Sequence, residues 1–370
     1  MARLTRAQQQ ERTRAAVLAA AWEEFAEHGY AEAKVDRIAE RAELTRGAVY
    51  SNFPSKRALY LAVLVDMVER DGAGSGQVAA AAPGPAEALG AFARAWLERL
   101  PLVDDTPAGG HLQLRSLAGV LEDEPARTAL TQVTRLEALL LALALESREP
   151  RPRRGRRVRL AELVLTLLNG SGHLAERAPG FGDPFDVARA CEHLAGIDLA
   201  DTWDPPHLPY VAPARPCRDP WAPPAGLPDQ LTGRTVGFDT GGVVAVLGTS
   251  RLEAAEEAVR AARPDDRVTV AVATGDPAEI GRLVRLRIGD LTGCLRRVVA
   301  PDAWPRLHLV LDDRAALASA IGLPDADDAT EAAVRIRDGR IVARAEGRGA
   351  AHAAATAGAA DSPRPRGAGT

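Results

Sequence analysis

Between Thr13 and Leu199 apolar residues recur at intervals of three and four with few β-branched runs, a period that predicts helices. Leu18, Ala21, Trp22 and Phe25 stand at i, i+3, i+4 and i+7, so a first helix presents a core-facing stripe, and Gly29 can end it in the left-handed conformation. Val35, Ile38 and Ala39 form the inner face of a short second helix ending near Ala42. Thr45, three residues on, can cap a third over about Arg46 to Asn52. Further helices are predicted over Ala86 to Leu100, Leu112 to Leu121, Pro125 to Leu145, Val158 to Glu176 and Pro184 to Ala195. From Asp201 to Pro228 frequent proline removes backbone donors and forbids helix interiors, which predicts a linker. The period then changes. Strands are predicted over Val243 to Leu247, Val268 to Val272 and Leu307 to Leu311, with helices over Leu252 to Ala262, Pro277 to Arg287 and Arg314 to Ile321. A final hairpin, Ala332 to Arg337 and Arg340 to Arg344, turns at Asp338-Gly339.

These changes of pattern divide the 370 residues into a helix-turn-helix segment (1–66), an all-α segment (67–200), a proline-rich linker (201–230), an α/β segment (231–347) and an Ala/Gly/Pro-rich tail (348–370) expected to be disordered. Composition sharpens the picture at three points. Lys plus Arg number 46 against 50 Asp plus Glu, a net charge of −4, so contact with nucleic acid must be local. Lysine occurs only at Lys34 and Lys56, arginine supplying every other basic residue, so arginine abundance alone says little. Cys191, Cys217 and Cys294 are far apart with no metal-ligand spacing, which fits a reducing cytoplasm; no metal or cofactor is expected. The polar N-terminus shows no secretory signal, and the longest apolar run, Ala138 to Leu145, is too short to cross a bilayer. The cationic run RPRRGRRVR, residues 151–159, reads as a solvated loop between helices.

The stretch LTRGAVYSNFPSKRAL, residues 44–59, carries the candidate chemistry. Short helix, three-residue turn, short helix is the helix-turn-helix geometry. Gly47 and Ala48 let the third helix approach another surface closely, Val49 and Phe53 point into the core, and Thr45, Arg46, Tyr50, Ser51 and Asn52 face outward. Those hydrogen-bonding groups suit base edges and phosphate oxygens. Pro54 stops the helix, and the one beginning at Ser55-Lys56 turns its positive end toward a phosphate. Taken singly, Tyr50 and Phe53 read as core residues and Lys56 as a solvated charge; the spacing of the whole set makes them a DNA-reading surface.

Ile38-Ala39-Glu40-Arg41-Ala42, Leu44 to Tyr50, Phe53-Pro54-Ser55-Lys56 and Leu59 resemble the N-terminal domain of the TetR family of bacterial transcriptional regulators, over about residues 10–65. The resemblance implies a homodimer on double-stranded operator DNA, with the Arg46 helix in the major groove, Tyr50 and Lys56 on phosphates, and a small-molecule effector. Two positions depart from the family pattern. Glu43 replaces the usual turn glycine, at a cost of roughly 1 kcal/mol if its φ is positive. Lys34 replaces a threonine and can add a phosphate contact. Residues 67–200 resemble the family's regulatory half in pattern only, which implies that the last two helices pair between subunits, with Leu160, Leu163, Val164, Leu167 and Leu168 as the stripe. Phe92, Trp96, Leu114, Leu117 and Leu139 are the candidate ligand-lining residues, their plain alternative being ordinary core.

The order of elements after residue 231, with LVLDDRAALASAIGL before IRDGRIVAR, resembles a thioredoxin or peroxiredoxin fold. Such enzymes place a nucleophilic cysteine after the first strand, where this chain has Gly248-Thr249-Ser250-Arg251, and no Cys-x-x-Cys occurs. No catalytic residue is therefore expected. The whole reads as a multidomain, non-enzymatic, cytoplasmic regulator: an all-α helix-turn-helix and an all-α regulatory domain followed by a redox-inactive thioredoxin-like domain. A chain ending at residue 200 is expected to dimerise and bind operator by itself. The alternative is a thiol-based redox sensor or oxidoreductase fused to a DNA-binding domain, with Cys294 as reactive centre.

Overall fold

The computed structural model describes residues 5–74, 84–101, 107–149, 155–300 and 303–358. Met1–Asp201 together with Asp276–Ala303 form one unit; Thr202–Gly275 with Trp304–Thr370 form a second. Among the described residues the first begins with the helices α1 (Arg6–Glu32), α2 (Val35–Arg41), α3 (Arg46–Asn52), α4 (Lys56–Gly74), α5 (Pro85–Leu97), α6 (Pro107–Gln113), α7 (Glu124–Glu146), α8 (Val158–Arg177) and α9 (Pro184–Leu194). Gly29 adopts φ 68° and breaks the regular course of α1, as its lack of a Cβ allows. The buried face of α1 is Val17, Ala20, Ala21, Glu24 and Phe25, so Trp22 is not core as expected but 47% exposed. The helix expected over 112–121 lies earlier. α6 ends at Gln113, because Arg115 (φ 58°) and Gly119 (φ 74°) take left-handed conformations that no helix tolerates. Of the stripe expected on α8, Leu160, Val164 and Leu168 are buried within the chain, while Leu163 is 40% exposed. α7 is long and apolar enough to cross a membrane, but most of its apolar stretch is buried in this helical core.

Among the described residues the second unit holds a six-stranded sheet and a two-stranded one. Its strands are β1 (Arg215–Pro220), β2 (Leu227–Pro228), β3 (Thr235–Val236), β4 (Gly242–Gly248), β5 (Arg267–Ala273), β6 (Leu307–Leu311), β7 (Glu331–Arg337) and β8 (Arg340–Glu346); α10 (Ala254–Ala261) joins β4 to β5. After β5 the chain forms α11 (Ile280–Arg296), which belongs to the first unit, and returns for β6, α12 (Ala316–Ala320), the β7–β8 hairpin and α13 (Ala350–Thr356). Sheet order is β1-β8-β7-β4-β5-β6, with β4, β5 and β6 parallel and the others antiparallel. Two expectations change. The proline-rich stretch is not wholly linker, since it supplies edge strand β1 and the buried Trp221, whose indole donates to Phe238 O at 2.7 Å. The expected tail contains α13, with Ala350, Ala351, Ala353, Ala354 and Ala355 buried; residues 359–370 lie outside those described.

The largest departure is α11. Its Ile280, Leu283 and Leu286 join the cluster that holds Phe25, Phe53, Leu59 and Leu64. Arg287 pairs with the fully buried Glu137 of α7 at 2.7 Å. The helical half is therefore completed by a segment from beyond residue 201, contrary to the expectation that residues 1–200 suffice.

Candidate DNA-reading surface and effector cavity

Thr45 Oγ1 accepts the Ala48 N–H at 3.2 Å and caps α3, while Val49 and Phe53 are buried beneath it. That anchoring leaves Thr45, Arg46, Gly47, Tyr50 and Ser51 exposed, with Ala48 and Asn52 half-buried. A Cβ at Gly47 would meet only its own cap, Thr45 Oγ1 at 3.8 Å, so the helix surface there is open. Ser51 Oγ and Asn52 Nδ2 both donate to Ala48 O, at 2.9 and 2.8 Å. Arg46 pairs with Asp36 of α2 at 3.2 Å and lies 5.5 Å from the Tyr50 ring centre. The hydrogen bond with Tyr50, then the charge of Asp36, hold its guanidinium firmly protonated. α2 is fixed at both ends by Glu24, a fully buried carboxylate on α1 that accepts the Lys34 N–H at 3.1 Å and pairs with Arg41 at 3.4 Å. Lys34 itself is exposed. Glu43 has φ 56°, the left-handed turn that glycine would hold without strain.

Lys56, at the start of α4, donates Nζ to Ala31 O at 3.0 Å and lies 4.9 Å from the Tyr30 ring centre. Partial burial lowers its pKa. One residue on, Arg57 binds both Asp123, the N-cap of α7, and Glu279, the N-cap of α11; Ser55 Oγ also donates to Glu279. The residues that begin α4 thus tie the reading helix to α7 and α11.

A cavity of about 570 Å³ opens in the first unit among α5, α7, α8, α11 and the turn after α6. Trp96, Leu114 and Leu117 line it, as expected; Phe92 and Leu139 are buried elsewhere in the core. Its polar lining was not foreseen: Arg99, Arg115, Arg287 and Asp290 stand on one wall, and Asn169, His173, Glu176 and Arg177 on α8. Arg99 and Arg115 pair with Asp290 at 2.9 and 3.0 Å. No periodicity could have found these groups, because they face one another only once α11 is in place.

The three cysteines are unpaired, and Cys191 and Cys294 are buried. Burial pushes the Cys191 thiol up to about 11 and raises that of Cys294, the reverse of an activated thiolate, so the redox alternative loses its reactive centre. After β4, Thr249 and Thr274 donate to Asp328 Oδ1 at 2.7 and 2.6 Å and Ser250 to Asp328 O; these hydroxyls fasten a loop. Glu24, Glu27 and His28 could gather around a metal ion, but Arg41 already binds both carboxylates, which makes the group an ion-pair network.

Residues 17–63 match the model of the N-terminal domain of the bacterial regulatory proteins of the tetR family. Similar solved structures include a transcriptional regulator from Rhodococcus sp. Rha1, 23% identical over 50% of this chain and 94% of that one, with a TM-score of 0.38. The regulator FadR from Bacillus subtilis in complex with stearoyl-CoA is 15% identical over 50% and 99%, with a TM-score of 0.36. NalD, the secondary repressor of the MexAB-OprM efflux pump in Pseudomonas aeruginosa, is 20% identical over 50% and 95%, with a TM-score of 0.32. No curated protein matches the chain.

Proposed function

We propose that the protein is a ligand-responsive transcriptional repressor that acts as a homodimer on a palindromic operator. The observation that carries the reading is α3: a capped helix, fixed from below by Val49 and Phe53, that exposes Thr45, Arg46, Gly47, Tyr50 and Ser51 within the segment matched to the tetR family. Arg46, Tyr50, Ser51 and Asn52 read bases and phosphates, Gly47 and Ala48 allow close approach, and Lys34 and Lys56 bind the flanking backbone. Leu163, Leu174, Phe181 and Phe185 are exposed on and between α8 and α9, and an apolar set of that size supports pairing with a second copy. The effector site is the cavity beside Trp96, Leu114 and Leu117. The second unit is a thioredoxin-like module without thiol chemistry; the order β8-β7-β4-β5 and the helix after the hairpin support that reading. Selection from random duplexes tests the function: an inverted repeat with half-sites about 34 Å apart is expected, and recovery of a lone asymmetric half-site would count against a dimeric reader.

A further inference from the structure

The cavity beside Trp96 has a neighbour of about 430 Å³, and the two share Arg99, Arg115 and Asp290 in their linings. This trio is a partition between the two spaces. Arg99 Nη1 and Arg115 Nε both approach a single oxygen, Asp290 Oδ1, at 2.9 and 3.0 Å, and the three side chains are 14%, 7% and 7% exposed. Arg99 also donates to Trp96 O at 3.1 Å and stacks 4.2 Å from that ring's centre. Arg115 donates to Gln113 O at 2.8 Å and pairs with Asp71, a carboxylate that is 68% exposed. Its φ of 58° is one that a non-glycine residue adopts only under strain, and strain of this kind gathers at ligand sites.

Arg287 joins the same wall. It gives one nitrogen to Glu137 at 2.7 Å, while its buried Nε has no acceptor among the described residues. Three guanidinium groups therefore share two buried carboxylates, Asp290 and Glu137, and the third acid, Asp71, faces water. Glu176 and Arg177, neighbours on α8, add one charge of each sign to the lining. The apolar part of the lining is Trp96, Leu114, Leu117, Leu121 and Leu286.

We propose that the partition is an anion gate and that the cavity takes an anionic amphiphile, its apolar body against Trp96 and Leu286 and its carboxylate, sulfonate or phosphate on Arg99 and Arg115 in place of Asp290. This rests on the reading of the cavity as the effector site and names the chemistry of its occupant. A charged acceptor on buried guanidinium donors gains more than a neutral one, because the donors are already desolvated. Asp290 lines both cavities, so its displacement removes a wall that the two spaces share.

Two fluorescent probes of similar shape test it on the full chain: the anion anilinonaphthalene sulfonate and the uncharged phenylnaphthylamine. The sulfonate is expected to bind more tightly, with energy transfer from tryptophan that falls in Trp96→Phe. Asp290→Asn removes the competing carboxylate and is expected to raise sulfonate affinity roughly tenfold, leaving the neutral probe unchanged. Equal or reversed preference in the unmodified protein overturns the proposal, and that comparison decides the matter even if the variant does not fold. An unchanged preference in a folded Asp290→Asn also overturns it. Operator binding, measured separately, keeps the two ideas apart: sulfonate bound without effect on operator affinity removes the effector reading and leaves the gate. Release of operator by the neutral probe alone does the reverse.

Discussion

At the scale of single residues, Glu43 and Lys56 show how local chemistry fixes the reading head. Glu43 holds φ 56° with a Cβ that crowds its own carbonyl, so Glu43→Gly is expected to raise stability by about 0.5–1 kcal/mol, relief of strain being partly offset by the freer unfolded chain. Chemical denaturation with an unchanged m-value checks it. The position was legible through the family resemblance, which puts a glycine there, and not from the spacing of apolar residues. Lys56 donates one of three ammonium protons to Ala31 O, which leaves the group able to meet a phosphate as well. Lys56→Ala is therefore expected to weaken binding to all duplexes alike and to flatten the slope of log affinity against log salt by roughly one unit. An unchanged slope would place Lys56 away from the DNA. Arg115 was not legible: nothing in the spacing of apolar residues marks a non-glycine held at positive φ.

At the scale of elements, period gave most of the second unit and failed where packing decides. β6 lies where the alternation places it, and β4 and β5 each extend one residue further at both ends. β1 was hidden because Pro216 and Pro220 lie in an edge strand, where a missing donor costs little. The periodicity of α11 reveals an apolar face but not which core receives it. That core is the helical one, so a chain cut at residue 200 loses Ile280, Leu283 and Leu286 from its interior and leaves Glu137 buried without Arg287. Each lost side chain is worth roughly 1.5–3 kcal/mol and the orphaned charge about 3–5. Their sum approaches the whole stability of a domain, so the cut chain is expected to melt without cooperativity and to regain a transition on adding a peptide of residues 276–303. A sharp transition in the cut chain alone would show α11 to be dispensable. In the second unit, Glu331 accepts the Gly349 N–H at 2.6 Å just ahead of α13, and burial, then the charge of Glu257, raise its pKa. The folded form binds this proton more tightly than the unfolded chain, so the stability it contributes is full below the ordinary glutamate range and is lost as pH rises through the raised value. Glu331→Gln keeps the acceptor and is expected to lift the melting temperature at about pH 8 by roughly 2–4 °C while leaving acid stability nearly unchanged.

At the scale of the whole molecule, a two-headed reader places both recognition helices in successive major grooves, and a change of a few ångströms between them loses contacts on one half-site. In each copy of the proposed homodimer, α11 runs from Glu279, which binds Ser55 and Arg57 just after α3, to Leu286, Arg287 and Asp290 on the cavity wall. One rigid helix therefore touches both sites, and a ligand that moves its middle moves its grip on α4. Only differential affinity shifts the equilibrium, so the effector must bind the operator-free form better, and operator must weaken effector binding by the same factor, typically about 5- to 150-fold. Glu279→Gln loosens the grip without touching either surface. It is expected to leave operator affinity within about threefold and effector affinity in free protein unchanged, while the mutual factor falls toward one. Titrating an effector with and without operator, in both proteins, measures that factor directly. A factor that stays as large in Glu279→Gln would mean that α7, through Asp123 and Arg57, carries the coupling instead.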